Sequence, residues 1–305
     1  YEQQGEEIFD NVRDYENAQE MTQLAALCHD LGHGPYSHLF DNEVLRIAKV
    51  RDSLPDDLPQ LHHEARSVMM LNHLMDQYNL DYTKQQRDVI ASMIDSPPAN
   101  DRLSYLTYPF LYQIVANKAS GLDVDKWDYL NRDTQNLGLR FGFDHRRLMQ
   151  CSRVIDNNIC FHQKEVFNVF DMYNLRFKLH KLVYNHRAAK AAEYMLADVL
   201  IGCDTHFGLT SSITDPQEFM RFSDCLIRVV EMSKEASLEN SRKILRRLRN
   251  RELYKFVDEF LVPANSPEVT EVDISTSQDG GGHVQLVPDD LIIQNMRANF
   301  GMRQQ

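Results

Sequence analysis

The chain of 305 residues lacks several features that would mark particular classes of protein. Its five cysteines form no CxxC pair and are odd in number, so we expect reduced packing residues rather than a disulfide framework. No apolar run is long enough to span a bilayer, and the first residues do not resemble a secretory leader. No internal repeat is visible. These absences favour a cytosolic or nuclear globular protein without a membrane partner.

Charge and apolar content set further bounds. The net charge of −12 argues mildly against general coating of nucleic acid, and 43% apolar residues can build one large core or a core with a small appended lobe. A local basic run departs from the acidic average. It is either a solvated helix face or a phosphate-binding surface, and it contains Arg242, Lys243, Arg246, Arg247, Arg249 and Arg251.

The most informative motif is a His-Asp doublet, His29-Asp30, that closes an apolar helical segment and leads into a glycine- and proline-containing turn. Adjacent residues point about 100° apart on a helix, so both reach one ion only where a second element supplies further ligands. Asp125 is the best distant candidate. We therefore predict a divalent metal held by His29, Asp30 and Asp125, and this N/O set suits Fe, Mn, Zn, Ni or Mg. The alternative is that His29 caps the helix and Asp30 lies in solvent.

The hydrophobic pattern is mostly helical. The spacing predicts helices over 17–31 and 63–78, and a single long helix, possibly bent, over 164–201, a stretch without glycine or proline. Short β-like runs lie at 153–161, 269–274 and 283–287. A glycine-rich connection at 275–282 suggests a small mixed α/β C-terminal lobe over 265–305, after a helical domain over 1–264.

Two polar stripes have helical spacing. Asp125, Tyr129 and Asp133 form one stripe, with Lys126 beside them. A second stripe contains Arg176, His180, Tyr184 and Arg187, with His186 next to it. An ordinary solvent face favours Glu and Lys, so we interpret these stripes as two walls of a pocket for a sugar and phosphates. A set of aromatic residues is expected in the core: Trp127, Phe141, Phe143, Phe167, Phe170 and Phe177.

Four segments together carry a family resemblance. They are HDLGHGPYSHLFD (29–41), HHE followed by SVMM (62–70), GLDVDKWDYLNRD (121–133) and LHKLVYNHR (179–187). In this order they resemble the HD-domain deoxynucleoside triphosphate triphosphohydrolases, in particular those that join a sterile alpha motif to the HD domain. The resemblance covers nearly the whole chain and is more specific than the doublet alone. It implies a mainly α fold with an HD-domain helical core.

The resemblance implies attack on the α-phosphorus of a deoxynucleoside triphosphate, with release of a deoxynucleoside and intact triphosphate. Histidine titrates near neutral pH, so proton transfer and phosphate contact are expected from His33, His38 and His63, with Asp41 orienting one of them. The implied substrate-binding residues are Lys126, Arg176 and His186 at the phosphates, Asp133 at the 3′-hydroxyl, Tyr129 and Tyr184 against a 2′-hydroxyl, and His180.

The resemblance also implies regulation by GTP and deoxynucleoside triphosphates bound between subunits of a dimer or tetramer. The matching positions are Asp144, Arg147, Lys164, Asn168, Arg187, Arg242 and Arg246. His162 departs from the family pattern, which has an arginine there. A fourth metal ligand, a histidine upstream of the doublet, is absent from residues 1–28 and is expected before Tyr1. Single-stranded nucleic acid is a further candidate partner.

Two alternative functions stay open at this point. Another HD-type phosphohydrolase, such as a phosphodiesterase or nucleotidase, would use the same metal without needing Tyr129 and Tyr184 to exclude a 2′-hydroxyl. A catalytically inactive scaffold that binds nucleotides or nucleic acid would explain the missing upstream ligand.

Overall fold

A computed structural model describes residues 4, 8–50, 54–55, 57–95, 108–140 and 142–257, and this part of the chain is mainly helical. The predicted fold class is confirmed. The α-helices are α1 Val12–Cys28, α2 Arg46–Val50, α3 His63–Gln77, α4 Lys84–Ile94, α5 Tyr112–Val115, α6 Val124–Asn136, α7 His145–Gln150, α8 Val166–Leu179, α9 Arg187–Phe207, α10 Pro216–Phe219, α11 Leu226–Met232 and α12 Glu239–Arg249.

Shorter helical turns connect these elements. Residues Phe40–Leu45 and His180–Tyr184 form π-helical turns. The 3-10 turns are Pro59–Leu61, Pro109–Leu111, Gln163–Glu165, Ser211–Thr214 and Ala236–Leu238. No helix in the described ranges is long and apolar enough to cross a membrane.

The described strands form one antiparallel hairpin, β1 Ser152–Ile155 and β2 Asn158–Phe161, within the predicted β-like run at 153–161. Ser152 pairs with Phe161, and Ile155 pairs with Asn158. Asp156 and Asn157 both have positive φ, the geometry that a two-residue hairpin turn requires. The runs at 269–274 and 283–287, and the lobe predicted over 265–305, lie outside the described residues.

The prediction of one long helix over 164–201 is wrong. The structure instead has α8, the π-helical turn at His180–Tyr184, and α9. Asn185 ends the turn because its backbone N–H and its side-chain amide both donate to the carbonyl of His180. His186 is extended and caps α9, since its Nδ1 accepts from the backbone N–H of Ala188 at 3.2 Å. Arg187 therefore opens a new helix and leaves the predicted stripe.

Three buried apolar clusters support the fold. One contains α1, α4 and part of α3, a second contains α9, α11 and α12, and the third lies between α6 and α8. Gly32 follows α1 and packs directly on the start of α3. A Cβ there would lie 2.2 Å from the carbonyl oxygen of His63, so only glycine permits this approach. The close contact brings the His-Asp segment to the N-terminus of α3.

Of the six aromatic residues expected in the core, Phe141 lies outside the described residues and Phe177 is half-buried. The other four divide into two groups. Phe143 is buried, and Trp127 packs against the cluster between α6 and α8. Phe167 and Phe170 are 78% and 64% exposed on α8, so their assignment to the core is wrong. Both side chains lie on the side of the helix that faces away from the cluster with Met172 and Leu175.

Candidate functional site

The three predicted metal ligands converge at the C-terminus of α1 and the first turn of α6. His29 Nε2 lies 3.3 Å from Asp30 Oδ1 and 3.4 Å from Asp125 Oδ1. Two ligand atoms bound about 2.1 Å from one ion at a tetrahedral angle lie about 3.4 Å apart, so each of these two distances fits a pair of ligands to one ion, whereas Asp30 and Asp125 have no contact with each other in the described structure. The Asp30 side chain is at the same time 54% exposed and His29 is the C-cap of α1, so the alternative of a helix cap beside a solvent-facing Asp30 stays open.

The orientation of the His29 ring also suits a metal. Its Nδ1 donates to the carbonyl oxygen of Ala26 at 2.8 Å, which leaves the Nε2 lone pair directed toward the two carboxylates. Hydrogen bonding to Asp125, together with the charge of Asp30, raises the pKa of His29 to about 9 despite partial burial. A binding metal would displace this proton and take the place of its positive charge between the carboxylates.

The predicted catalytic residues form an adjacent cluster. The rings of His33 and His63 stack with centroids 4.1 Å apart, and His38 meets His33 edge-on at 5.1 Å. Asp41 Oδ2 lies 3.2 Å from His63 Nδ1 and 3.7 Å from His33 Nδ1. His33 Nε2 lies 3.4 Å from Asp30 Oδ1, so this cluster is continuous with the metal ligands.

A second set of potential ligands overlaps the first. Asp30, His33 and His63 offer atoms that all lie within 4.8 Å of one another, which is also compatible with a metal ion. The two sets differ in their contacts: Nδ1 of His63 already faces Asp41, and Nε2 of His29 faces the carboxylates of Asp30 and Asp125.

The environments of two histidines move their pKa values in opposite directions. Burial and the neighbouring His33 and His63 lower the pKa of His38. Burial also opposes the charged form of His63, but Asp41 and Glu64 outweigh it and raise the pKa of His63. The pKa values of the two histidines are thus moved apart, as in pairs that accept and donate protons.

The stripe on α6 meets the end of α8, as the two-wall interpretation predicts. Tyr184 donates to Asp133 Oδ2 at 2.5 Å, and its ring lies edge-on to that of Tyr129 at 6.4 Å. Burial and this hydrogen bond raise the pKa of Tyr184. The ring of His180 contacts Tyr184 at 5.1 Å. Tyr184 is therefore a neutral donor whose ring is held in a fixed position.

The predicted phosphate-contacting residues have different surroundings. Arg176 Nε is buried and has no hydrogen-bond partner in the described part of the chain. Lys126 Nζ donates to the buried Asp123 Oδ2 at 2.8 Å. His186 uses Nδ1 to cap α9, which leaves its other ring nitrogen for a ligand.

The comparisons with known proteins agree with the sequence motifs. The family described as "HD associated region" matches residues 143–277. The "Deoxynucleoside triphosphate triphosphohydrolase SAMHD1 homolog" of Dictyostelium discoideum is 39% identical over 293 residues, which cover 94% of this chain and 54% of the relative. The SAMHD1 proteins of Bos taurus and Homo sapiens are 33% and 31% identical, over 92% of this chain and 53% and 50% of their own lengths.

The chain is similar to SAMHD1 proteins. It spans about half the length of the curated relatives that it matches. The "HD associated region" match begins at Phe143 and thus includes the hairpin, α8 and α9, whereas the His-Asp doublet lies before it.

Four of the predicted effector residues lie together within the "HD associated region" match. The backbone N–H of Asp144 donates to the side-chain oxygen of Asn168 at 2.8 Å, and the side-chain amide of Asn168 donates to the carbonyl oxygen of Asp144 at 2.9 Å. Arg147 Nε donates to the buried Glu165 at 2.7 Å, and Lys164 is the exposed neighbour of Glu165. His162 caps the same turn, since its Nδ1 accepts from the backbone N–H of Lys164. We call Asp144, Arg147, Lys164, Glu165 and Asn168 the α7–α8 network.

The remaining predicted effector residues lie elsewhere. Arg242 and Arg246 are on α12 and both pair with Glu239, and Arg242 also donates to the carbonyl oxygen of Ser233. The guanidinium of Arg187 lies over the ring of Phe256 at 6.0 Å. The described contacts do not join these three arginines to the α7–α8 network.

Sequence analysis missed the three most deeply buried charged residues of the described structure. Arg66 contacts Asp41, Asp123 pairs with Lys126, and Glu165 pairs with Arg147. The sequence held a signal only for Asp123, because Asp directly before a helical segment is a typical N-cap. In the structure its side chain accepts from the backbone N–H of Lys126, as an N-cap does. For Arg66 and Glu165 the sequence around them contains no comparable signal.

Proposed function

We propose that the protein is a metal-dependent hydrolase that converts deoxynucleoside triphosphates to deoxynucleosides and inorganic triphosphate. The observation that carries the proposal is the contact of His29 with both Asp30 and Asp125, directly beside the His33–His63 stack. The similarity to proteins named deoxynucleoside triphosphate triphosphohydrolase supports the choice of substrate. We further propose that the protein is of the type that joins a sterile alpha motif to the HD domain.

His29, Asp30 and Asp125 would hold the metal, which is Fe, Mn, Zn or Mg by the chemistry of its ligands. When bound, the ion would polarise a phosphoryl oxygen and stabilise the charge that develops on it. His38, whose pKa is lowered, would accept a proton from water. His63, whose pKa is raised, would donate a hydrogen bond to a phosphate oxygen.

The two tyrosines would select the sugar. Tyr184 is fixed by its hydrogen bond to Asp133, and Tyr129 meets it edge-on, so an added 2′-hydroxyl would press against a ring that cannot rotate away. Asp133 would accept from the 3′-hydroxyl with its remaining oxygen. The unpartnered Nε of Arg176, together with Lys126 and His186, would bind the phosphates, and His180 would contact substrate beside Tyr184.

We further propose that GTP and deoxynucleoside triphosphates act as effectors at the α7–α8 network and favour a dimer or tetramer. The exposed Val166, Phe167 and Phe170 on α8 support a second copy of this chain as the partner, because large apolar side chains beside a charged network are typical of subunit contacts. Arg187, Arg242 and Arg246 stay part of the effector proposal as separate contacts. Single-stranded nucleic acid is a further proposed partner, and the proposed location is nuclear or cytoplasmic.

The experiment that tests this function is a product analysis of the full-length protein with each of the four deoxynucleoside triphosphates, with and without GTP. We expect inorganic triphosphate in amounts equal to the deoxynucleoside, and loss of both with a chelator. Orthophosphate or pyrophosphate as the product would instead favour a nucleotidase or phosphodiesterase. Absence of turnover with every substrate and metal would favour the inactive scaffold.

A further inference from the structure

Arg66 is fully buried at the start of α3, beside the histidine cluster. A buried guanidinium is costly unless its donors are satisfied. Each of its three nitrogens has a different partner: Nε donates to the carbonyl oxygen of Gly32 at 2.7 Å, Nη1 to that of Gln60 at 2.6 Å, and Nη2 to Asp41 Oδ1. The rings of Phe40 and Phe219 each lie 5.6 Å from the guanidinium carbon.

The partners of Arg66 belong to the segments that carry the site. Gly32 lies between Asp30 and His33, and Asp41 lies in the π-helical turn after His38. The neighbouring Ser67 completes the grip on Gly32, because its Oγ accepts from the Gly32 N–H at 2.8 Å. Arg66 therefore holds the carbonyl oxygen of Gly32, Ser67 holds its N–H, and both contacts fix this residue against α3.

The contact with Asp41 has a consequence for the histidines. Asp41 offers Oδ1 to Arg66, so its other oxygen is turned toward Nδ1 of both His33 and His63. The two rings therefore face one carboxylate oxygen, and a rotation of Asp41 would change the surroundings of both Nδ1 atoms. The Nε2 of His33 is the atom that faces Asp30.

We infer that Arg66 is a positioning residue of the proposed hydrolase, which sets the rotation of Asp41 and through it the orientation of the His33 and His63 rings. A lysine could not replace it, because one ammonium cannot reach three acceptors in a planar fork. The inference rests on the proposed function only where it predicts a change in kcat. The effect on the histidine rings is a separate property of the folded chain.

The test compares Arg66→Lys and Arg66→Met with Arg87→Lys and Arg87→Met in the full-length protein. Arg87 is a matched control, because it also bridges a carboxylate, Asp76, and a carbonyl oxygen, that of Tyr82, away from the histidine cluster. We expect kcat for triphosphate release to fall by about 10- to 100-fold in the Arg66 variants, with KM changed little. The Arg87 variants should lower Tm without this loss of kcat.

A spectroscopic readout separates this inference from the proposed function. In ¹⁵N-histidine NMR spectra, the side-chain signals of His33 and His63 should shift in Arg66→Lys, while that of His73 serves as an internal reference. If the wild-type protein releases no triphosphate but these signals shift, the positioning role stands and the proposed function fails. Unshifted signals in Arg66→Lys would overturn the inference whatever the activity.

A double-mutant cycle with Asp41→Asn tests whether Arg66 acts through Asp41. We expect the Arg66→Lys substitution to have little further effect on kcat or on the histidine signals in the Asp41→Asn background. Additive losses would mean that Arg66 acts only through the carbonyl oxygens of Gly32 and Gln60, which would overturn the inference. If Arg66→Met does not fold, the double-mutant cycle can still be completed with Arg66→Lys, which keeps the positive charge and most of the aliphatic part of the side chain.

Discussion

At the scale of single residues, His29 is the centre of the proposed metal site because its Nε2 approaches two carboxylates. We predict that His29→Ala and Asp125→Ala each abolish stoichiometric metal binding, measured by mass spectrometry of bound metal after gel filtration. Circular dichroism should change little. Asp128→Ala is the control, since Asp128 is an exposed residue of the same helix as Asp125 and pairs only with Arg132 in the described structure. Retention of metal by both variants would contradict the ligand assignment.

The second prediction for a single residue concerns sugar selection by Tyr184. Replacing it with alanine removes a fixed ring from the proposed sugar pocket, so the preference for a deoxynucleotide over its ribonucleotide should fall at least about tenfold, or about 1.4 kcal/mol. The ratio of kcat/KM values for dATP and ATP measures it. Tyr78→Ala, at an exposed position after α3, should leave the ratio unchanged. An unchanged ratio in Tyr184→Ala would remove Tyr184 from sugar selection.

The residues that the sequence allowed us to find are those whose type and spacing express their chemistry. His29 approaches both Asp30 and Asp125, the pairing expected of the proposed ligand set, and Tyr129 and Asp133 share a helix face. Arg66 could not be found in this way, because its importance depends on three acceptors from distant segments that only the folded chain brings together.

At the scale of elements, the break between α8 and α9 positions Tyr184 and His186 at the end of one helix and the start of the next. Helical periodicity predicted a continuous helix because no glycine or proline interrupts the segment. The break depends on two hydrogen bonds from Asn185 to the carbonyl oxygen of His180, and on capping by His186. Such local side-chain competition has a weak sequence signal. The helix over 63–78 was predicted nearly to its ends, since its apolar stripe is regular.

Helices α11 and α12 are joined by Glu231, which accepts from Arg249 at 2.6 Å. This hydrogen bond, opposed by partial burial and aided by Arg228, lowers the pKa of Glu231 below its usual 4.5. The stabilisation is therefore present above about pH 4.5 and is lost as the pH falls through the lower folded-state pKa.

We predict that Glu231→Gln lowers the free energy of unfolding at pH 7 by about 0.5–1 kcal/mol, the range of exposed ion pairs. Urea denaturation measures the difference, which should disappear below the folded-state pKa. Glu235→Gln is the control, because Glu235 is exposed and its side chain has no described ion pair. An equal effect of Glu231→Gln at both pH values would show that the ion pair does not contribute.

At the scale of the whole molecule, the α7–α8 network reaches α8 through Asn168, and α8 also carries the exposed aromatic residues Phe167 and Phe170. We predict that GTP with a deoxynucleoside triphosphate shifts the full-length protein toward a tetramer, and that Lys164→Glu blocks the shift, because it reverses the charge that would meet a triphosphate. Sedimentation velocity measures the mass. Lys234→Glu makes the same charge change at an exposed position after α11 and should not block assembly. A mass independent of nucleotide in the wild type would contradict the effector proposal.

The central claim is hydrolysis at the α-phosphorus by the site around His29 and the histidine cluster. Its most direct test is turnover of a deoxynucleoside triphosphate in H₂¹⁸O by the full-length protein, with mass analysis of both products. The account predicts one ¹⁸O atom in intact inorganic triphosphate and none in the deoxynucleoside, with no turnover in His29→Ala. Labelled orthophosphate or pyrophosphate, or label in the deoxynucleoside, would contradict it.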